Sequence, residues 1–145
     1  MKYLYLILIS LGLTACNNLS THSQDQAEAQ VRAASLSWIQ HFNEGDARYL
    51  ANAYTVDATM NARPMGEFVG REAIYQFWAP FIASGASDLV YKDTKFNVID
   101  SHTVLVSSNW KMNVGEGIIT EEKWAKQADG VWRLAYDDFT VTKQY

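Results

Sequence analysis

The sequence predicts a single α+β domain, with its helices in the first half and an antiparallel sheet in the second. Three observations predict it. Apolar residues recur at helical spacing as far as Gly85. Four strand-length runs rich in Val, Ile, Thr and aromatics then follow, and the gaps between them are short and made of turn-forming residues.

The first residues set the compartment. Lys2 gives a positive start, residues 3–13 are almost wholly apolar, and the run ends Leu13-Thr14-Ala15-Cys16. An apolar segment this short does not span a bilayer, which takes about 20 residues, and its order is that of a secretory signal. The last four residues resemble the lipobox of bacterial lipoproteins. That resemblance implies cleavage before Cys16 and lipid attachment at its sulfur. Cys16 is also the one cysteine of the chain, so no intramolecular disulfide forms. Asn17, where an aspartate would imply inner-membrane retention, implies the outer membrane facing the periplasm. Removing residues 1–15 from the 145 leaves 130, and the formal charge passes from −4 to −5 because Lys2 is the one charge lost. An acidic body without a basic cluster does not favour nucleic acid or anionic lipid surfaces, so the membrane contact expected is through lipid alone.

Residues 16–26 are polar and aperiodic and are expected to be a tether, with the domain over residues 27–145. A first helix starts near Ala27, with Val31, Ala34, Trp38 and Phe42 on one face. Gly45 suits its C-terminal cap, and Asp46 can cap a short second helix carrying Leu50 and Tyr54. Residues 57–69 contain Pro64 and Gly66 and suit a strand or short hairpin. After Gly70 comes a third helix, with Ile74, Phe77, Trp78, Phe81 and Ile82 at helical spacing and Gly85 beyond it. Pro80 conflicts with it, since proline in a helix interior costs about 3 kcal/mol, and predicts a kink or a break near Ala79. Residues 89–99, 103–112, 118–126 and 131–142 are the four strands, and Gly115-Glu116-Gly117 reads as one of the turns between them.

Beyond this order, three segments carry a family resemblance. They are Phe42-Asn43-Glu44-Gly45-Asp46 with Tyr54-Thr55-Val56-Asp57-Ala58, then Gly70-Arg71-Glu72-Ala73-Ile74, and Asp129-Gly130-Val131-Trp132. Together they resemble the SnoaL-like, or nuclear-transport-factor-2-like, superfamily, in its exported branch ending Asp-Gly-x-Trp. The resemblance implies a bent sheet wrapped around the long N-terminal helix to enclose a cone, with many members dimeric through the sheet. It does not imply one activity, because the family holds isomerases, dehydratases, cyclases and plain binding proteins. Matched to its steroid isomerases, Trp38 stands at the tyrosine position, Ala62 near the base and Ile119 near the strand acid. None of those three catalytic groups is kept.

The candidate chemistry therefore rests on other residues. On the last strand Asp137 and Phe139 share a face with Arg133, Ala135 and Val141, opposite Trp132, Leu134, Tyr136 and Asp138. By resemblance the first face looks into the cone, where Asp137 would be a desolvated carboxyl or, alternatively, the partner of Arg133 or of a lysine. Trp38, Tyr54, Asp57, Trp78, Trp110 and Phe139 are the other candidate lining residues. Asp57 is better suited to stabilising a helix end or a turn than to the cavity. Glu121 and Glu122 are adjacent on a strand, so one points in, although such pairs are commonly solvated. His22, His41 and His102 have no metal-ligand spacing, and no dinucleotide, phosphate-loop or nucleophile motif occurs, so neither metal nor cofactor is expected. These residues suit a pocket for a small, partly apolar molecule. A cofactor-independent isomerase, dehydratase or hydrolase, and an envelope docking module, stay open. A homodimer is expected through an outward face carrying Trp132, Leu134 and Tyr136.

Overall fold

The computed structural model describes the backbone of residues 15–145 and the side chains from Thr21 onward. The expected signal segment and the Cys16 sulfur lie outside the described residues.

Helix α1 spans Ala15–Glu44, so residues 16–26 are helical and not the aperiodic tether that their polarity suggests. The side chains of residues 21–26 are exposed or partly exposed, so their polarity suits a stretch of helix without a buried face. The buried face begins at Ala27 and continues through Val31, Ser35, Trp38 and Phe42. Gly45 ends α1 with φ at 83°, a left-handed conformation that glycine adopts without a Cβ penalty. Asp46 then caps α2 (Ala47–Asn52), its carboxylate accepting from the Tyr49 N–H at 2.9 Å. Tyr54 is not on this helix. It opens strand β1 (Tyr54–Arg63), which folds back through Pro64 and Met65 onto β2 (Gly66–Val69) as the expected hairpin. Helix α3 (Arg71–Ala83) runs through Pro80 without a break. Pro80 sits near its end, where burial of Ile74 and Trp78 on the preceding turns keeps the helix seated.

Strands β3 (Val90–Asp100), β4 (Thr103–Met112), β5 (Gly115–Lys126) and β6 (Trp132–Gln144) form the antiparallel meander. The hairpin β1–β2 joins it through a parallel pairing of β1 with β6, which gives the order β2-β1-β6-β5-β4-β3. Helix α1 lies against β3, β4 and β6, and α3 closes over α2, β1 and β2. The result is a curved open sheet around the long helix, a cone with its core inside.

Two irregularities set which side chains face that core. Gly115 and Gly117 belong to β5 and are not turn residues. A Cβ on Gly117 would sit 2.0 Å from the Thr140 carbonyl oxygen and 2.5 Å from the Trp110 ring. In β6, Leu134 pairs with Trp124 but Tyr136 pairs with Lys123, so Ala135 is an extra residue, a β-bulge. The bulge turns the strand over. Trp132 and Leu134 are buried before it, and Asp137 and Phe139 are buried after it. The outward apolar face expected from Trp132, Leu134 and Tyr136 therefore does not exist.

Candidate functional site

The open end of the cone holds a cavity of about 280 Å³. Its walls come from every layer of the fold. Trp38 and Phe42 descend from α1, and Phe77, Trp78 and Phe81 from α3. Tyr91, Trp110, Met112, Ile119, Phe139 and Val141 rise from the sheet. Met65, Val114 and Gln144 stand at its exposed rim. The rings brace one another: Trp38 meets Trp78 edge-on at 5.4 Å, and Trp78 stacks on Phe139 at 5.9 Å. Aromatic contacts of this kind fix wall positions beyond what area burial alone provides.

Asp137 is the one carboxyl in this lining. Only 5% of it is exposed, and no cation pairs with it among the described residues. Arg133, its expected alternative partner, binds Asp129 instead at 2.9 Å. The Tyr54 hydroxyl donates to Asp137 Oδ2 at 2.6 Å. Burial pushes the Asp137 carboxyl up to about 8, helped by the charges of Glu122 and Asp138 and opposed by the Tyr54 hydrogen bond. Asp137 is thus a neutral acid near pH 7, able to donate a hydrogen bond.

Glu122 is buried behind this wall, 3% exposed. It is the inward member of the Glu121–Glu122 pair and not a solvated edge charge. It accepts from the Tyr91 hydroxyl at 2.9 Å and from the Trp124 indole N–H at 2.8 Å. Burial raises its carboxyl to about 6 against those two hydrogen bonds. Glu122 and Asp137 are cross-strand partners on β5 and β6 and so titrate as a pair. Tyr54 and Tyr91 are both held well above the ordinary tyrosine range, by burial first and then by the carboxyl each one faces. Around the cavity the indole N–H groups of Trp38 and Trp110 are buried without a hydrogen-bond partner among the described residues. Each such donor costs about 1–3 kcal/mol.

Of the predicted lining residues, Trp38, Trp78, Trp110, Asp137 and Phe139 border the cavity. Tyr54 is fully buried and reaches the site only through Asp137. Asp57 is exposed on β1 and does not line the cavity. It lies between the strand start and the buried Ala58, on the outer side. Of the three positions matched to the steroid isomerases, only Trp38 and Ile119 border the cavity. The carboxyls stand instead at Asp137 and Glu122. Sequence reasoning missed Tyr91, whose one signal is a hydroxylated aromatic at the start of a strand. No cluster of His, Cys, Asp or Glu suited to a metal ion occurs among the described residues.

A family described as the SnoaL-like domain matches residues 36–141. The chain belongs to this family. Solved structures similar to this SnoaL-like chain share its fold at low identity. A ketosteroid isomerase-like protein from Erwinia carotovora atroseptica is 16% identical with a TM-score of 0.68, over 79% of this chain and 95% of that one. An NTF2-like protein with a cystatin-like fold from Novosphingobium aromaticivorans is 14% identical with a TM-score of 0.70, over 91% and 93%. A candidate dehydratase of the NTF2-like family from Streptomyces avermitilis is 15% identical with a TM-score of 0.69, over 82% and 98%. No curated protein sequence matches the chain. At these identities the structures establish the fold and leave the activity to the site itself.

Proposed function

We propose that the cone binds a small, neutral, mainly apolar molecule that presents an oxygen acceptor to Asp137. The observation that carries this reading is a buried, cation-free carboxyl in an otherwise aromatic and aliphatic cavity of about 280 Å³. No Lys, Arg or His lines it, so an anionic ligand would meet only a carboxyl and hydroxyl chemistry. A neutral acid donating to a carbonyl in a dry site contributes about 1 kcal/mol or somewhat more. An open cavity supports this reading over a docking module.

The pairing of Asp137 with Glu122 favours a second reading, cofactor-independent proton transfer of the isomerase or dehydratase kind. Two carboxyls whose surroundings hold them at different proton affinities provide an acid and a base in one site. The low-identity resemblance to proteins named for such activities is consistent with it. The N-terminal run supports a lipid anchor at Cys16, which would hold the domain at a bacterial envelope membrane, on the periplasmic side of the outer one. Among the described residues no helix is long and apolar enough to cross a membrane.

The test of the binding reading is a pair of equal-shaped probes, 2-acetylnaphthalene and 2-ethylnaphthalene. Quenching of tryptophan fluorescence at pH 6.5 should give the ketone about tenfold tighter binding, and Asp137→Asn should change that ratio. Equal affinities, or no binding of either probe, would refute it.

A further inference from the structure

Two tyrosine–carboxyl pairs meet the cavity in opposite senses. In the first, the Asp137 carboxyl lines the cavity, and Tyr54 stands behind it and donates at 2.6 Å. In the second, Tyr91 lines the cavity, and Glu122 stands behind it and accepts from its hydroxyl at 2.9 Å. The sheet joins the two carboxyls, because Glu122 and Asp137 are register partners across β5 and β6. Directly paired residues of an antiparallel ladder have Cβ atoms about 5 Å apart.

This inward pair depends on two bulges. Alternation from Gly117 and Ile119 would bring Glu121 inside, but the register shifts between Ile119 and Glu121 and brings Glu122 in instead. The bulge at Ala135 does the same for Asp137. Burying a second carboxyl beside the first without a cation is costly, and apolar packing there would be the more stable solution.

We infer that Tyr91, held by Glu122, is a second proton-transfer group acting on the same ligand as Asp137, and that the proton returns between the neighbouring Glu122 and Asp137 carboxyls, which are register partners across the two strands. The inference rests on the cavity being the ligand site. For a bound methyl ketone the step is enolisation. A C–H bond beside the carbonyl breaks and its electron pair forms the C=C bond. The proton goes to the Tyr91 oxygen as Tyr91's own proton passes to Glu122. The carbonyl oxygen takes the Asp137 proton, and the enol is formed. The protein is left with a proton on Glu122 and a carboxylate at Asp137, and transfer across the strands restores the starting state. Nothing is oxidised or reduced.

The groups surrounding the pair define its pH behaviour. Tyr54 comes from β1, Tyr91 from β3 and Trp124 from β5, and Asp138 on β6 is already paired with Arg63 at 2.7 Å. Activity should rise as Glu122 ionises near about 6 and fall as Asp137 loses its proton near about 8.

The probe is 2-acetylnaphthalene in deuterium oxide, with proton NMR following deuterium entering its methyl group. Exchange above the protein-free rate is expected. Tyr91→Phe and Glu122→Gln should each lower it roughly a hundredfold, and the double variant no further, because the two act as one unit. Ketone affinity in Tyr91→Phe should stay within about twofold of wild type, a shift of less than half a kcal/mol. Glu122→Gln should also remove the rise near pH 6, a change that loss of packing would not produce. If the ketone binds but exchange is absent, or is unchanged in Tyr91→Phe, the second proton-transfer group is refuted and the binding reading stands. If the ketone does not bind, both fall.

Discussion

Replacing Asp137 with Asn keeps the side-chain shape and the acceptor for the Tyr54 hydroxyl but removes the ionisable proton. The ordinary value for this carboxyl is 3.8, and burial in the fold holds it near about 8. Between those values the folded protein keeps a proton that the unfolded chain has released. Wild-type unfolding free energy therefore falls by about 1.4 kcal/mol per pH unit across that window, and Asp137 contributes no further change above it. The stabilising effect of the protonated acid is complete below the unfolded value and is lost as pH rises through the folded one. A window of roughly four units sets a ceiling on the order of 5 kcal/mol. Water entry, relaxation and the shared titration with Glu122 all lower it, so a gain of roughly 2 kcal/mol is the expectation. Urea unfolding at pH 5 and pH 8.5, followed by tryptophan fluorescence, measures it. The Asn variant should overtake wild type, with the gap widening by at least that amount between the two pH values. A variant that is less stable at pH 8.5, or a gap independent of pH, would refute the reasoning and mark Asp137 as a charged structural residue.

Two other outcomes are expected. Gly117→Ala should destabilise the domain by about 2–4 kcal/mol, since its Cβ would lie 2.0 Å from a carbonyl oxygen held in the β5–β6 ladder; a urea midpoint within error of wild type would mean that the strands part easily there. Cys16 should incorporate labelled palmitate in a Gram-negative host and Cys16→Ser should not; equal labelling of the two would remove the lipid anchor from the account.

The parts of the fold legible in the sequence are those written in local periodicity. The Val31, Trp38 and Phe42 stripe marks α1, Asp46 marks the cap of α2, and the gaps after Asp100 and Lys126 separate strands that pair as a meander. What was not legible is non-local or breaks a period. The parallel pairing of β1 with β6 joins residues about 80 apart, and no local pattern reports it. A strict period of two along β6 puts Trp132 and Asp137 on opposite faces, yet the bulge at Ala135 buries both. The family resemblance turns the face of Asp137 and Phe139 into the cone, and beyond the bulge both are buried. Adjacent glutamates such as Glu121 and Glu122 are ordinarily solvated, and only the shift after Ile119 turns Glu122 inward. Gly115 and Gly117 resembled a turn, but glycine there answers a close approach of neighbouring backbone and of Trp110.

The central claim is that Asp137 acts as a neutral donor to an oxygen on the bound molecule. The most direct measurement is the affinity ratio of 2-acetylnaphthalene to 2-ethylnaphthalene at pH 6.5 and again at pH 9.5, on either side of the about 8 at which the carboxyl releases its proton. The account predicts that the ketone is favoured about tenfold at the lower pH and that the ratio collapses towards one at the higher. A ratio that is the same at both pH values, or a ketone preference that grows as the acid ionises, would contradict it.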